Sequence, residues 1–331
     1  MTRLVSIDGV LFTPEEAKVS VYDRGFLYGD SVFETIRTYG GEPFALDEHL
    51  ARLERSAARI AITLPISRDE LGREVIAALR AAEAAGRAAA GGADAAAGPA
   101  AGPTGAVAAP AESYLRVMLT RGSGPLGLDP TLAGAPLRVI LVEPLRPLPG
   151  ELYRNGIAVI TARTQRAGDA APGAKVSNYL ESLLALRDAR AAGAHEALIL
   201  DPSGHVVEGT TSNVFLVERR PPSHEGAADP GQVLITPPRE AGILVGITRA
   251  HVIGVARERN LPVCCEPVTM ARLLAAEEVF ITSSLREIVP VVRVDAHAIG
   301  SGVPGPTTRA LHAAFRDKVG LGGAPLPWEG P

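Results

Sequence analysis

The chain has 331 residues, 46% of them hydrophobic and 21% charged, with a formal net charge of −4. At roughly 100–200 residues per domain this length allows about two domains, and the composition excludes a disordered acidic or basic tail. The balance of 33 basic against 37 acidic residues gives no footprint for binding a nucleic-acid backbone.

Met1 to Gly9 has no 7–15-residue apolar core, so no signal peptide is expected. No run of about 18 apolar residues is free of charge, Gly and Pro, so no membrane span is expected either. Leu4–Ile7 and Val10–Phe12 flank Asp8-Gly9, a hairpin signal. Val32–Tyr39 is predicted as a strand, with a short strand around Pro43–Ala45. In Leu46–Ile60 the apolar residues Leu50, Leu53, Ala57 and Ile60 recur at helical spacing, and Asp69–Leu79 is a second helix.

Residues 81–111 stand apart, with 17 Ala and 9 Gly or Pro among 31. Such a segment has little large apolar surface to bury. Ala81–Ala90 extends the preceding helix in this reading, and the remainder is loop, an insertion on a surface connection. Tyr114–Thr120 and Leu137–Glu143 are strands. Glu143–Gly150, with three prolines, is the expected domain junction.

The second half is predicted as strand 157–163, helix 179–192, strand 195–200, a hairpin to 206–208, and strand 213–218. After a Pro/Gly-rich loop (219–231) come strand 233–235, helix 248–260, strand 263–266, helix 269–275, strand 278–282 and a closing helix 306–318. Leu180, Leu183, Leu184 and Leu186 are expected to form the apolar face of helix 179–192. Without regular βαβ alternation, the expected fold class is mixed α/β (α+β) in two domains. The cysteines, Cys264 and Cys265, are adjacent, which speaks against a disulfide scaffold or a cysteine zinc site and suits a reducing, cytoplasmic compartment. No metal site is expected.

The chain has three lysines, Lys18, Lys175 and Lys318. An arginine cannot deprotonate to an amine nucleophile, whereas a lysine can. Lys175 precedes a helix, as a surface lysine or as a nucleophile. Glu208 opens Glu-Gly-Thr-Thr-Ser-Asn, as a solvated hairpin carboxylate or as a partner that keeps a ring nitrogen protonated. Gly246-Ile247-Thr248-Arg249 opens a helix that Thr248 can cap, and its free amides suit an anion. Thr282-Ser283-Ser284 ends a strand with three hydroxyls. Arg52 lies between core-facing Leu50 and Leu53, pointing inward or to water. Tyr28, Phe33, Tyr114, Arg116 and Tyr179 are pocket or core residues. Taken together, an activated lysine, a carboxylate, an anion-binding helix start, hydroxyls and an arginine suit pyridoxal phosphate.

The stretches Val19–Arg37, His49–Leu53, Lys175–Leu184, Glu208–Phe215, Gly246–Arg249 and Glu278–Val292 resemble, in order, the fold-type IV pyridoxal-phosphate enzymes, or class IV aminotransferases. These include branched-chain and D-amino acid aminotransferases and 4-amino-4-deoxychorismate lyase. The resemblance implies a small N-terminal α/β domain (1–145, with the insertion 81–111), an interdomain loop (146–152) and a larger C-terminal domain (153–331). It implies that the cofactor lies between the domains, and that the chain forms a homodimer or higher homo-oligomer. It assigns Lys175 to the Schiff base, Glu208 to the pyridine nitrogen, and Arg52, Ile247, Thr248, Ser283 and Ser284 to the phosphate. Tyr179 corresponds to a tyrosine at the cofactor's phenolic oxygen.

Within the family, Tyr114-Leu115-Arg116, Tyr28 and Phe33 resemble the substrate pocket of branched-chain enzymes. Pro125-Leu126-Gly127 replaces the Arg-x-His of D-amino acid enzymes, and Phe26 replaces one of their pocket tyrosines. Thr35 stands where branched-chain enzymes have Gly, and Ser284-Leu285-Arg286-Glu287 replaces their Thr-Ala-Ala-Glu. Both differences lean toward the lyase, with Thr35 as a proton relay or a buried strand residue. The expected activity is transfer of an amino group from a branched-chain or related hydrophobic amino acid to 2-oxoglutarate. The expected partners are small amino and keto acids, with no nucleic acid and no membrane. The lyase is the alternative, and a D-amino acid aminotransferase comes after it.

Overall fold

The computed structural model describes residues 2–94, 112–163, 173–220 and 231–329. The chain divides into two compact units, Met1–Arg146 with Ala174–Ser177, and Pro147–Gly173 with Asn178–Pro331. The return of Ala174–Ser177 to the first unit is not foreseen from sequence, where all of 153–331 is expected in the C-terminal domain. Its cause is backbone pairing. Val176 bridges Val32, the Phe33 N–H donates to the Lys175 carbonyl, and the Ser177 N–H donates to the Ser31 carbonyl.

In the first unit, β1 (Leu4–Ile7) and β2 (Val10–Phe12) form the expected hairpin, with Asp8 and Gly9 both at positive φ. A short helix, α1 (Arg24–Tyr28), follows, capped by Asp23. Then come β3 (Ser31–Tyr39), β4 (Glu42–Pro43), α2 (Leu46–Arg59), α3 (Arg68–Asp94), β5 (Ser113–Thr120) and β6 (Leu137–Pro144). The sheet order is β2-β1-β6-β5-β3-β4 with antiparallel neighbours. Leu50, Leu53 and Ala57 of α2, with Leu71, Val75 and Leu79 of α3, bury against Val32, Ile36, Leu115 and Val117. Burial of that stripe is the main force holding the helices on the sheet. The helix predicted to end near Ala90 reaches Asp94, and 95–111 lie outside the described residues.

The second unit runs α4 (Gly150–Asn155), β7 (Ile157–Arg163), α5 (Leu180–Ala191), β8 (Glu196–Leu200), β9 (His205–Gly209), β10 (Asn213–Arg219) and β11 (Gln232–Thr236). It continues with α6 (Ile247–Glu258), β12 (Val263–Cys265), β13 (Val268–Thr269), α7 (Met270–Ala275), β14 (Glu278–Ser283), β15 (Glu287–Val294), β16 (His297–Ala298) and α8 (Pro306–Arg316). Its sheet is mixed, in the order β12-β11-β10-β14-β15-β7-β8-β9-β13 with β16 on β15. The elements α4, β13, β15 and β16 were not predicted as such. Most of the loop predicted at 219–231 lies outside the described residues.

One expectation is reversed on α5. Leu180, Leu183 and Leu184 are 69%, 60% and 42% exposed, and Ala185 and Ala189 face the core instead. Their small side chains let the helix backbone lie close to Ala197, Ile199 and Val207, a position that leucines are too large to share.

Candidate active site

In the first unit the antiparallel pairing of β3 and β5 sets Thr35 opposite Arg116, Phe33 opposite Met118 and Arg37 opposite Tyr114. Strand alternation puts Phe33, Thr35, Tyr114 and Arg116 on one sheet face, away from the helix-covered core. The Arg116 guanidinium carbon lies 3.7 Å from the centre of the Phe33 ring, and the Lys175 Nζ lies 4.4 Å from it. Two cations therefore meet the negative face of one aromatic ring. The Lys175 backbone N–H donates to Ser56 Oγ at 3.1 Å, fixing this segment on α2 as well as on β3. Strand register thus sets four residues singled out from sequence on one face, with the Phe33 ring against Lys175. Tyr28 ends α1, and its hydroxyl accepts from the Gly127 N–H at 3.3 Å.

On the opposite face of β3, Glu34 is buried between Val32 and Ile36. Its carboxylate accepts from Arg52 Nε (2.7 Å) and Nη2 (2.6 Å), and its Oε2 lies 2.7 Å from His49 Nδ1. Burial alone would raise the Glu34 carboxyl, but Arg52 and His49 pull it down to about 2. Burial also lowers the His49 imidazole, against the pull of Glu34. Arg52 therefore points inward, resolving the question left by its sequence context. Glu34 and His49 were missed. The available signal was a charged residue at a core-facing position of an alternating strand.

In the second unit Glu208 lies on β9 opposite Ile199. Glu208 Oε2 accepts from the Leu244 N–H at 2.9 Å, and Asn213 Nδ2 donates to the Leu244 carbonyl at 2.8 Å. Two strands thereby grip the loop that leads into α6. Gly246 is the N-cap of α6 and places no side-chain oxygen on the first turn. A Cβ at this position would lie 2.1 Å from Asn213 Oδ1, so any larger residue would have to displace the Asn213 side chain from its bond to Leu244. Thr248 is the second helical residue, a correction to its expected capping role, and both Ile247 and Thr248 are buried. The amides of this first turn make a site for an anion.

Thr210, Thr211 and Ser212 converge on the buried carboxylate of Glu196. Its Oε1 accepts from the N–H groups of Thr210 and Ala197, both at 3.2 Å, and from the Thr210 hydroxyl. Arg286 Nη2 donates to Glu196 Oε2 at 2.9 Å. Ser283 ends β14, and Ser284 lies in the turn to β15, both half-buried. Tyr179 is the residue before α5. Glu196 and Arg286 were not singled out as site residues. Nothing in Glu196's own sequence context signals a role, because its side-chain partners lie 14 to 90 positions away. No group of three or more His, Cys, Asp or Glu suited to a metal occurs among the described residues.

The profile of the class IV amino-transferases matches residues 31–294, most of the chain. The chain belongs to the class IV aminotransferases. A putative branched-chain-amino-acid aminotransferase of Methanocaldococcus jannaschii is 37% identical over 315 residues, 95% of each chain. A D-alanine aminotransferase of Bacillus licheniformis is 33% identical, over 95% of this chain and 96% of that relative. Among solved structures, the branched-chain aminotransferase of the thermophilic archaeon Thermoproteus uzoniensis with norvaline superposes with a TM-score of 0.77. It is 31% identical, covering 98% of this chain and 97% of that one. The two-domain mixed α/β fold expected from sequence is that of these class IV aminotransferase structures. Class IV aminotransferases are pyridoxal-phosphate enzymes, and branched-chain structures similar to this chain are solved with pyridoxamine 5'-phosphate and with phosphopyridoxyl-glutamate. This chain is branched-chain aminotransferase-like. No described helix is long and apolar enough to cross a membrane.

Proposed function

We propose that this class IV aminotransferase moves the amino group of a branched-chain or related hydrophobic amino acid to 2-oxoglutarate. The observation that carries this reading is the cluster on one face of the first sheet, where Lys175 and Arg116 share the Phe33 ring beside Thr35 and Tyr114. It joins an amine nucleophile, a cation for a carboxylate, and aromatic walls for an apolar side chain.

The donor set fits pyridoxal phosphate. Besides the Lys175 amine, it includes the buried Arg52 guanidinium and the first turn of α6, which carries no side-chain cap. The hydroxyls of Ser283 and Ser284 follow Thr282, whose buried Oγ1 has no hydrogen-bond partner among the described residues. Arg52, Ile247, Thr248, Ser283 and Ser284 would hold the phosphate, Glu208 the pyridinium nitrogen and Tyr179 the phenolic oxygen. When bound, the cofactor supplies an aldehyde for the amino group and a ring that spreads the charge left at Cα. Lys175 would be the amine that holds the aldehyde and the base that moves the proton at the substrate Cα. Glu208 would keep the ring nitrogen protonated. Tyr114 and Arg116 orient the substrate carboxylate, while Tyr28 and Phe33 exclude water from its side chain.

The exposed leucines of α5 in one unit and Leu126 and Leu128 in the other support a homodimer or higher homo-oligomer as the working form. The free thiols Cys264 and Cys265 suit a cytoplasmic setting. A second reading, 4-amino-4-deoxychorismate lyase, is favoured by Thr35, whose position across from Arg116 suits a proton relay. The test is product analysis with the purified protein. Glutamate formed from L-leucine and 2-oxoglutarate supports the transaminase. Release of 4-aminobenzoate and pyruvate from aminodeoxychorismate without glutamate formation assigns the lyase. Turnover of D-alanine alone overturns both.

A further inference from the structure

The turn from β14 to β15 is clamped from three directions within the second unit. The Arg286 carbonyl accepts from the Tyr153 hydroxyl at 2.9 Å, from α4. The Arg286 guanidinium reaches the buried Glu196 at the start of β8 and the Thr211 hydroxyl, each at 2.9 Å from Nη2. Glu287, the first residue of β15, sits at φ +58, a left-handed conformation that costs a non-glycine residue free energy. Its carboxylate is held by His312 Nε2 at 2.6 Å and Arg316 Nη1 at 3.1 Å, both from α8. This many partners over-determine the shape of a short turn.

One bond in this network has a directional consequence. Arg286 Nε donates to Ser283 Oγ at 3.1 Å. A serine hydroxyl has one proton and two lone pairs. With an arginine N–H on one lone pair, the hydroxyl cannot be a donor toward Arg286, and its proton is left to donate elsewhere. The guanidinium itself cannot turn, because Glu196 holds its other end. Glu196 in turn is fixed by the Thr210 and Ala197 amides.

We propose that Arg286, locked by Glu196, is a positioning residue that presets the Ser283 hydroxyl as a hydrogen-bond donor to the cofactor phosphate. The proposal rests on the functional reading above. Arg286 touches no reacting atom and acts through Ser283.

The test is equilibrium binding to the full-length protein, followed by the absorbance of added pyridoxal phosphate or of pyridoxal, which lacks the phosphate. Arg286→Ala is expected to weaken pyridoxal phosphate about tenfold, the factor that 1.4 kcal/mol represents, and to leave pyridoxal unchanged. Ser283→Ala is expected to lose about the same, and the double variant no more than Ser283→Ala alone, because the two residues act as one unit. Arg286→Lys keeps a cation for Glu196 but has no Nε–H in a rigid fork. It is expected to melt like the wild type and still bind the phosphate weakly. Additive losses, equal losses for pyridoxal, or unchanged binding in Arg286→Ala would each overturn the proposal while leaving the aminotransferase reading intact. A wild-type protein that takes up no pyridoxal phosphate would overturn both.

Discussion

Glu34 grips Arg52 with both carboxylate oxygens, at 2.7 and 2.6 Å, in a place where neither residue is open to solvent. The pair joins β3 to α2, the strand and helix that also fix Lys175 through Phe33 and Ser56. Removing one partner leaves a buried charge without its counterion. Glu34→Ala is expected to lower stability by about 3–5 kcal/mol, read as a reduced midpoint in urea. Glu34→Gln, which keeps the shape and one acceptor, is expected to lose less. A loss below about 1 kcal/mol in Glu34→Ala would mean that Arg52 finds another partner.

The same cluster sets an acid limit. The Glu34 carboxyl is held below its ordinary 4.5, at about 2, so the folded state binds its proton less readily than the unfolded chain. The stability it contributes is complete above pH 4.5 and is lost as pH falls from 4.5 toward 2. The His49 imidazole is also depressed below 6.5, so its contribution begins to fade below that pH. Urea midpoints are therefore expected to fall in two stages on acidification. Glu34→Gln should shrink the lower stage, leaving the part that other depressed carboxyls such as Glu266 contribute. A flat profile in the wild type between about pH 7 and 3 would contradict the assignment.

Phe33 presents one ring to two cations. Phe33→Leu keeps an apolar side chain of nearly the same reach but removes the ring quadrupole, about 0.5–2 kcal/mol per cation at such sites. The KM for the amino acid is expected to rise about tenfold as Arg116 loses its support, with a loss of stability of about 1 kcal/mol. An unchanged KM would make the ring packing alone.

Glu208 has a local task at Leu244 and, in the proposed function, a chemical one. Glu208→Gln preserves a side-chain oxygen for the Leu244 N–H but cannot hold a ring nitrogen protonated. The expected result is retained cofactor binding with kcat reduced about a hundredfold or more. Loss of binding with kcat preserved in the remaining loaded fraction would instead assign Glu208 to the Leu244 loop alone.

Strand periodicity and turn residues made the elements legible. Asp8-Gly9 marked its hairpin, and Val32–Tyr39 was legible as the strand that carries Phe33 and Thr35. The ordered motifs around Lys175 and Glu208 made the family legible. Long-range pairing remained hidden. Nothing near Lys175 in the sequence shows that Val176 bridges Val32, and so the return of four residues to the first unit was unforeseen. Leucine spacing in α5 misled, since periodicity marks an apolar face without saying what covers it. Glu196 was silent because its meaning lies in Thr210 and Arg286, which only the fold brings to it.

The most direct measurement is a single half-reaction. Protein loaded with pyridoxal phosphate is mixed with L-leucine and no keto acid, and the cofactor absorbance is followed with time. The wild type is expected to convert to the spectrum of the aminated cofactor, and Lys175→Ala to show no conversion on that timescale. A wild-type spectrum that stays unchanged, or conversion at an equal rate in Lys175→Ala, would contradict an aminotransferase that works through Lys175 on hydrophobic L-amino acids.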